Sequence, residues 1–130
     1  MDIVIDTSAV LAVILDEPER ERIVALTTGN TLIGPGSIPW EIGNAFSAMV
    51  KRRRLGAHEA VEGMQIFKSI PMRTVAVDMS RALSIAVMAG LYAYDAYFLD
   101  CAQRHGAPIL TLDGTLGRAA RALKLNVIEV

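Results

Sequence analysis

The chain has 130 residues, of which 52% are hydrophobic, and its formal net charge is −1. This length accommodates one domain with a substantial core and is too short for two, so we expect a single domain over residues 1–130. The near-zero charge excludes a protein that binds nucleic acid through its overall charge, and a lone cysteine excludes an internal disulfide.

No segment has the pattern of a secretory signal or a membrane span. Asp2 and Asp6 lie where a signal would carry basic residues, and the longest nearly uncharged run, residues 82–94, is too short to cross a bilayer. Cys101 lies in an apolar helical pattern, where we expect a buried, unreactive thiol. We therefore expect a cytoplasmic protein without membrane contact. The mean hydropathy of +0.37 further predicts either a sheet buried on both faces or an apolar surface kept for a partner.

Short β-branched runs alternate with helical patterns along the whole chain. The predicted strands are residues 1–6, 31–33, 74–77, 108–112 and 126–130. The predicted helices are residues 9–15, 18–26, 40–54, 57–68, 79–89, 94–105 and 115–123. This alternation favours an α/β fold, in which helices cover both faces of a mostly parallel sheet of about five strands. We expect a three-layer α/β/α arrangement.

Four acidic residues fall where the sheet predicts a crevice. Asp6 ends the first predicted strand and Asp113 ends the fourth, and Glu41 and Asp95 lie in the first turns of two helices. In open parallel sheets, ligands bind outside the carboxyl ends of the strands, near the point where the strand order reverses. Each acid taken alone is better explained as a helix cap or as a charge favoured by the helix dipole. Four acids on one edge of one sheet favour a functional site.

The negative charge of a carboxylate cluster needs to be compensated. Two carboxylates about 4 Å apart repel by about 4 kcal/mol at an effective dielectric constant of 20. Raised pKa values or a bound cation relieve this repulsion, and oxygen-only ligands favour Mg²⁺ or Mn²⁺. No cluster of histidine and cysteine suggests zinc. A divalent ion held by acids activates water and offsets charge on a phosphate, so the pattern predicts a metal-dependent nuclease.

Four short motifs, in this order and at these spacings, resemble the PIN domain. They are Ile5-Asp6-Thr7-Ser8, the run Pro39-Trp40-Glu41-Ile42-Gly43-Asn44-Ala45, the run Tyr94-Asp95-Ala96-Tyr97-Phe98-Leu99, and Leu110-Thr111-Leu112-Asp113. Within that family the chain most resembles the VapC-type ribonuclease toxins of toxin–antitoxin pairs, and the resemblance spans its whole length.

The resemblance implies specific roles for residues of this chain. It assigns Asp6, Glu41, Asp95 and Asp113 to the acidic quartet that binds Mg²⁺ or Mn²⁺ and hydrolyses RNA. It also implies a homodimer and a small VapB-like antitoxin that blocks the cleft. Ser8, Asn44 and Thr111 match positions that support this site or contact the substrate.

The chain departs from the family pattern after its fourth acid. Many PIN domains carry a further acid there, and residues 114–117 of this chain offer none. This departure indicates one well-held metal ion rather than two complete metal sites.

For several other polar or aromatic residues, the position in the sequence alone predicts the environment. Asp100 lies about 140° around its helix from Asp95, so we expect a solvated or partner-facing charge outside the site. The basic run from Lys51 to Arg54 ends a helix, some 20 Å from Glu41, and either satisfies the helix dipole or contacts flanking RNA or an antitoxin. Trp40 is either a core anchor, which we expect, or a platform for a base.

The sequence leaves two other functions open. Phosphatases and receiver domains also place acids after their first strand, but they need either an Asp-x-Asp pair there or adjacent acids together with a lysine after a late strand. Here Asp6 is followed by Thr7 and Ser8, and no lysine lies near Asp113. A catalytically weak or inactive PIN domain that acts as a nucleic-acid or protein binding module is the stronger alternative. The intact quartet argues against it.

Overall fold

The computed structural model describes all residues, 1–130, and contains five strands and seven helices. The strands are β1 (Asp2–Ile5), β2 (Thr31–Pro35), β3 (Arg73–Val75), β4 (Ile109–Leu110) and β5 (Val127–Ile128). The helices are α1 (Thr7–Ile14), α2 (Arg20–Thr27), α3 (Ile38–Lys51), α4 (Ala57–Ser69), α5 (Met79–Ala89), α6 (Ala93–His105) and α7 (Gly114–Ala122). Every predicted element is present, within a few residues at its ends.

The five strands form one fully parallel sheet in the order β3-β2-β1-β4-β5. The chain builds outward from β1 through β2 to β3, and then crosses to the other side of β1 to add β4 and β5. The strand order therefore reverses between β1 and β4, which is where parallel sheets open a ligand crevice. This arrangement confirms the predicted α/β fold.

The sheet is buried because helices pack on it in two groups. Helices α1 to α4 contact one another, whereas α5 packs on α6, and α6 lies against β1, β2 and β4. As a consequence, the central strands β1 and β4 do not alternate between apolar and polar residues after Asp2, and Ile3, Val4, Ile109 and Leu110 are all fully buried. Burying a side chain of this size contributes about 1.5–3 kcal/mol, so the centre of the sheet carries much of the folding energy.

Two element ends differ from the prediction. Strand β4 ends at Leu110, so Asp113 does not end the strand but caps the N-terminus of α7 three residues later. Helix α3 ends at Lys51, and Arg53 has a left-handed backbone with φ of 57°, which terminates the helix inside the basic run. The remaining arginines of that run therefore lie in an exposed turn.

The expectation of a solvated Asp100 is wrong, because its side chain is fully buried. Its Oδ2 accepts a hydrogen bond from the backbone N–H of Asp78 at 2.9 Å, and Arg81 and Arg104 lie 3.9 Å from its two oxygens. Helix α6 is covered by the sheet on one side and by α5 on the other, so a residue about 140° away from Asp95 is also interior. Asp100 thus ties the start of α5 to α6.

No single helix combines the length and the apolar character needed to cross a membrane; only α5 and α6 taken together meet those criteria, and they are bent by 116°. Cys101 is fully buried, as predicted, and burial raises the pKa of its thiol to about 12.

Candidate active site

Asp6 lies at the carboxyl end of the central strand and is held by several donors at once. As the N-cap of α1, its Oδ1 accepts hydrogen bonds from the backbone N–H of Ala9 at 3.1 Å and from the Ser8 hydroxyl at 2.7 Å. Its Oδ2 accepts a hydrogen bond from the Thr111 hydroxyl at 2.6 Å. Burial raises the pKa of Asp6, these hydrogen bonds oppose the rise, and the nearby Asp113 charge adds to it.

The same two hydroxyls connect the loop after β1 to the loop after β4. The Ser8 Oγ accepts a hydrogen bond from the backbone N–H of Leu112 at 3.0 Å, and the Thr111 Oγ1 accepts one from that of Asp113 at 2.9 Å. Each hydroxyl therefore donates to Asp6 and accepts from a backbone N–H of the loop after β4, across to that loop for Ser8 and within it for Thr111. Ser8 and Thr111 consequently fix Asp113 relative to Asp6.

Glu41 occupies the first turn of α3 and is bound by two other hydroxyls. The Thr7 hydroxyl donates to its Oε1 at 3.3 Å, and the Ser37 hydroxyl donates to its Oε2 at 2.8 Å. Burial, with smaller contributions from the charges of Asp95 and Asp6, raises the pKa of Glu41 to about 7 despite these hydrogen bonds. Glu41 is thus poised to gain or lose a proton near neutral pH.

Asp95 and Asp113 complete the cluster in different ways. Burial and the Asp113 charge raise the pKa of Asp95, in the first turn of α6. The exposed Asp113 caps α7, and its Oδ1 accepts hydrogen bonds from the backbone N–H groups of Thr115 and Leu116 at 2.9 and 3.3 Å. Asp95 accepts no hydrogen bond, so its carboxylate has no protein partner.

The structure brings all four predicted acids together. Electrostatic repulsion links Asp6 with Asp113, Asp113 with Asp95, and Glu41 with both Asp95 and Asp6. No lysine or arginine forms an ion pair with any of the four, since every ion pair of the chain involves other acids. The crevice therefore holds negative charge that no basic side chain of the protein offsets.

As placed, no three of these carboxylates form a ready-made set of metal ligands. The hydrogen bonds to Asp6 and Glu41 orient their oxygens toward local donors, and mutual repulsion keeps like charges apart. The chemistry of the donor set nevertheless fits a hard divalent cation, because it consists of carboxylate oxygens alone and lacks a compensating charge.

The remaining predicted residues lie around this crevice. Asn44 is exposed and lines a cavity of about 270 Å³ together with Glu41. The expectation of a core anchor is wrong for Trp40, whose side chain is 73% exposed at the mouth of the same cavity. Sequence reasoning also missed Thr7 and Ser37 as partners of Glu41. The signal was present for Ser37, which precedes Glu41 by one helical turn.

The comparisons with known proteins agree with this fold. The PIN domain family model matches residues 3–122. Ribonuclease VapC3 of Pyrobaculum aerophilum is 27% identical over 128 residues, which cover 95% of this chain and 98% of that protein. The crystal structure of PAE2754 from Pyrobaculum aerophilum has a TM-score of 0.71 and 20% identity, covering 95% of both chains. The structure of VapBC2 from Rickettsia felis bound to a promoter DNA fragment has a TM-score of 0.67 and 14% identity, covering 99% of this chain and 98% of that one.

The chain belongs to the PIN domain family, because the family model covers nearly all of it. This confirms the resemblance found in its four acidic motifs, including the likeness to VapC-type members.

Proposed function

We propose that the chain is a divalent-metal-dependent endoribonuclease of the VapC type, the toxin of a toxin–antitoxin pair. The observation that carries this proposal is the uncompensated cluster of Asp6, Glu41, Asp95 and Asp113 at the point where the strand order reverses. A binding module has no need to hold four acids together against their repulsion. The ribonuclease named among the relatives supports RNA as the substrate.

Each residue of the cluster has a proposed role. Asp6, Asp95 and Asp113 would hold a Mg²⁺ or Mn²⁺ ion, which when bound polarises the phosphodiester and activates water. Ser8 and Thr111 orient Asp6 through the two hydrogen bonds described above. These bonds fix a ligand in the way that outer partners fix ligands in metal sites generally.

Glu41 has a separate proposed role as a proton acceptor. The hydroxyls of Thr7 and Ser37 hold its carboxylate, and its pKa of about 7 suits proton transfer at neutral pH. No histidine lies among the residues of the cluster or their hydrogen-bond partners. Glu41 is therefore the group that we assign to orienting water and accepting its proton.

The test is cleavage of a labelled single-stranded RNA, compared with single-stranded DNA of the same sequence. We expect RNA cleavage with Mg²⁺ or Mn²⁺ and none with a chelator. Specific RNA binding without cleavage at any divalent-ion concentration would favour the alternative of an inactive binding module. Equal cleavage in the chelator would refute a metal-dependent reaction.

A small antitoxin protein is the proposed partner. The VapBC2 structure among the neighbours and the VapC-type resemblance support a VapB-like protein that occupies the cleft. We expect the product of a neighbouring reading frame to copurify with the chain and to suppress its RNA cleavage. Cleavage that persists in the copurified complex would contradict a partner that blocks the cleft.

We place the pair in the cytoplasm and treat residues 1–130 as one domain.

A homodimer is supported by the outer face of α5. Met79, Leu83 and Val87 follow one another at four-residue spacing and are 59%, 57% and 75% exposed, with Met88 beside them at 87%. An apolar stripe of this kind on a helix marks an interaction surface. Analytical ultracentrifugation is expected to give a dimer for the wild type and a monomer for Val87→Glu, and a monomeric wild type would refute the proposal.

A further inference from the structure

Two exposed aromatic side chains flank the acidic crevice. Trp40 is 73% exposed and Tyr94 is 53% exposed, although both residue types usually bury most of their surface. Each lies immediately before a cluster acid, Glu41 or Asp95, so its Cα is about 3.8 Å from that of the acid. The two rings line the same cavity of about 270 Å³, although they belong to helices far apart in sequence.

The cavity combines flat apolar walls with a polar edge. Asn44 follows Trp40 by four residues on α3, so the two side chains share a face of the helix, and Asn44 also lines the cavity. An amide both donates and accepts hydrogen bonds, as the edge of a nucleobase does. Tyr94 is held in place by an edge-to-face contact with Tyr97, with ring centroids 5.7 Å apart. The wall of the cavity that Tyr94 forms is therefore already fixed in the free protein.

The occupant follows from the position of the cavity beside the carboxylates. A phosphodiester held at these carboxylates carries a nucleotide on each side, so a base of the substrate lies within one nucleotide of the reacting phosphate. Aromatic side chains bind bases by stacking on them. They can stack only on a base that is not already stacked on its neighbours in a duplex. A peptide segment would explain the apolar walls but not the presence of the Glu41 carboxylate in the same cavity.

We propose that Trp40 and Tyr94 stack on an unpaired nucleobase next to the scissile phosphate, while Asn44 hydrogen-bonds its edge. The inference rests on the proposed ribonuclease function and deepens it, because it makes the substrate single-stranded at the cut. Trp40 and Tyr94 act as positioning residues for the RNA.

Kinetics on a single-stranded RNA oligonucleotide provide the first test. Stacking on one base predicts that Trp40→Leu raises KM about 10-fold with little change in kcat, whereas Trp40→Phe, which keeps a ring, stays close to the wild type. Tyr94→Leu is expected to behave like Trp40→Leu. The control Tyr92→Leu, which removes an exposed ring outside the cavity, should have no effect. A wild-type KM for both Trp40→Leu and Tyr94→Leu would overturn the inference but leave the ribonuclease function intact.

The fluorescence of Trp40 provides a second test, because the chain has one tryptophan. In the cleavage-deficient variant Asp95→Asn with Mg²⁺, we expect single-stranded RNA to quench this fluorescence and a duplex of the same sequence not to. Labelled RNA that binds, as seen by anisotropy, without changing the fluorescence would refute stacking. A response to the copurified partner protein alone, with none to RNA, would assign the aromatic pair to protein docking instead. Absence of RNA cleavage by the wild type would refute the proposed function and this inference with it, whereas cleavage without a fluorescence response refutes the inference alone.

Discussion

Asp95→Asn is expected to reduce RNA cleavage at least about 100-fold and to leave the domain folded. Replacing groups that merely support metal ligands typically costs 10- to 100-fold, so replacing a ligand costs at least as much. Asp95 accepts no hydrogen bond in the structure, so the change to an amide removes charge without removing a structural contact. Initial rates on a labelled RNA, together with thermal unfolding in a chelator, measure both effects.

Asp16→Asn is the matched control for this variant. Asp16 is exposed beyond the end of α1, at the opposite end of that helix from the acidic cluster, and its backbone φ of 54° suits asparagine equally well. We expect wild-type cleavage from Asp16→Asn. Retained cleavage in Asp95→Asn would remove Asp95 from the reaction, whereas loss of both cleavage and fold would show a structural role instead.

The stability of the metal-free protein is expected to fall as the pH rises from 5 to 8. The pKa of Glu41 is raised from 4.5 to about 7 in the folded protein, so the folded state retains a proton that the unfolded chain has lost. The stability that protonated Glu41 contributes is therefore fully present below about pH 4.5 and is lost as the pH rises through about 7. The raised pKa values of Asp6 and Asp95 act in the same direction.

The size of this effect is limited by the partial exposure of Glu41. A pKa difference of this size would correspond to about 3 kcal/mol in a fully buried group, and solvent screening reduces it to about 1 kcal/mol. Thermal unfolding in a chelator is the measurement, and Glu41→Gln should flatten the profile. Adding Mn²⁺ to the wild type should restore stability at pH 8, because a cation favours the charged carboxylates. A metal-free stability that rises between pH 5 and 8 would contradict this account of the cluster.

Much of the fold is predictable because its signals are local. Apolar runs such as residues 1–6 and 108–112 mark buried strands, and their alternation with helices requires parallel pairing. The position of Asp6 after one strand and of Asp113 near the end of another then brings these acids to the same edge. Their convergence follows from topology, whereas their role in catalysis remains a prediction.

What the sequence did not indicate depends on packing between distant elements. Asp100 is buried because α5 covers the outer side of α6, and nothing in the pattern of α6 alone marks that side as interior. Trp40 is exposed because its position in the first turn of α3 faces the crevice, although its large apolar side chain favours the core. The resemblance placed Ser8 and Thr111 near the site, but their hydrogen bonds to Asp6 depend on how two loops are aligned and so are visible only in three dimensions.

The central claim is that the carboxylate cluster holds a divalent ion, and titration calorimetry with Mn²⁺ at pH 7.5 tests it most directly. We expect saturable binding to the wild type and to Asp16→Asn, and strongly weakened binding to Asp95→Asn. Wild-type affinity in Asp95→Asn, or no binding to the wild type, would contradict the claim.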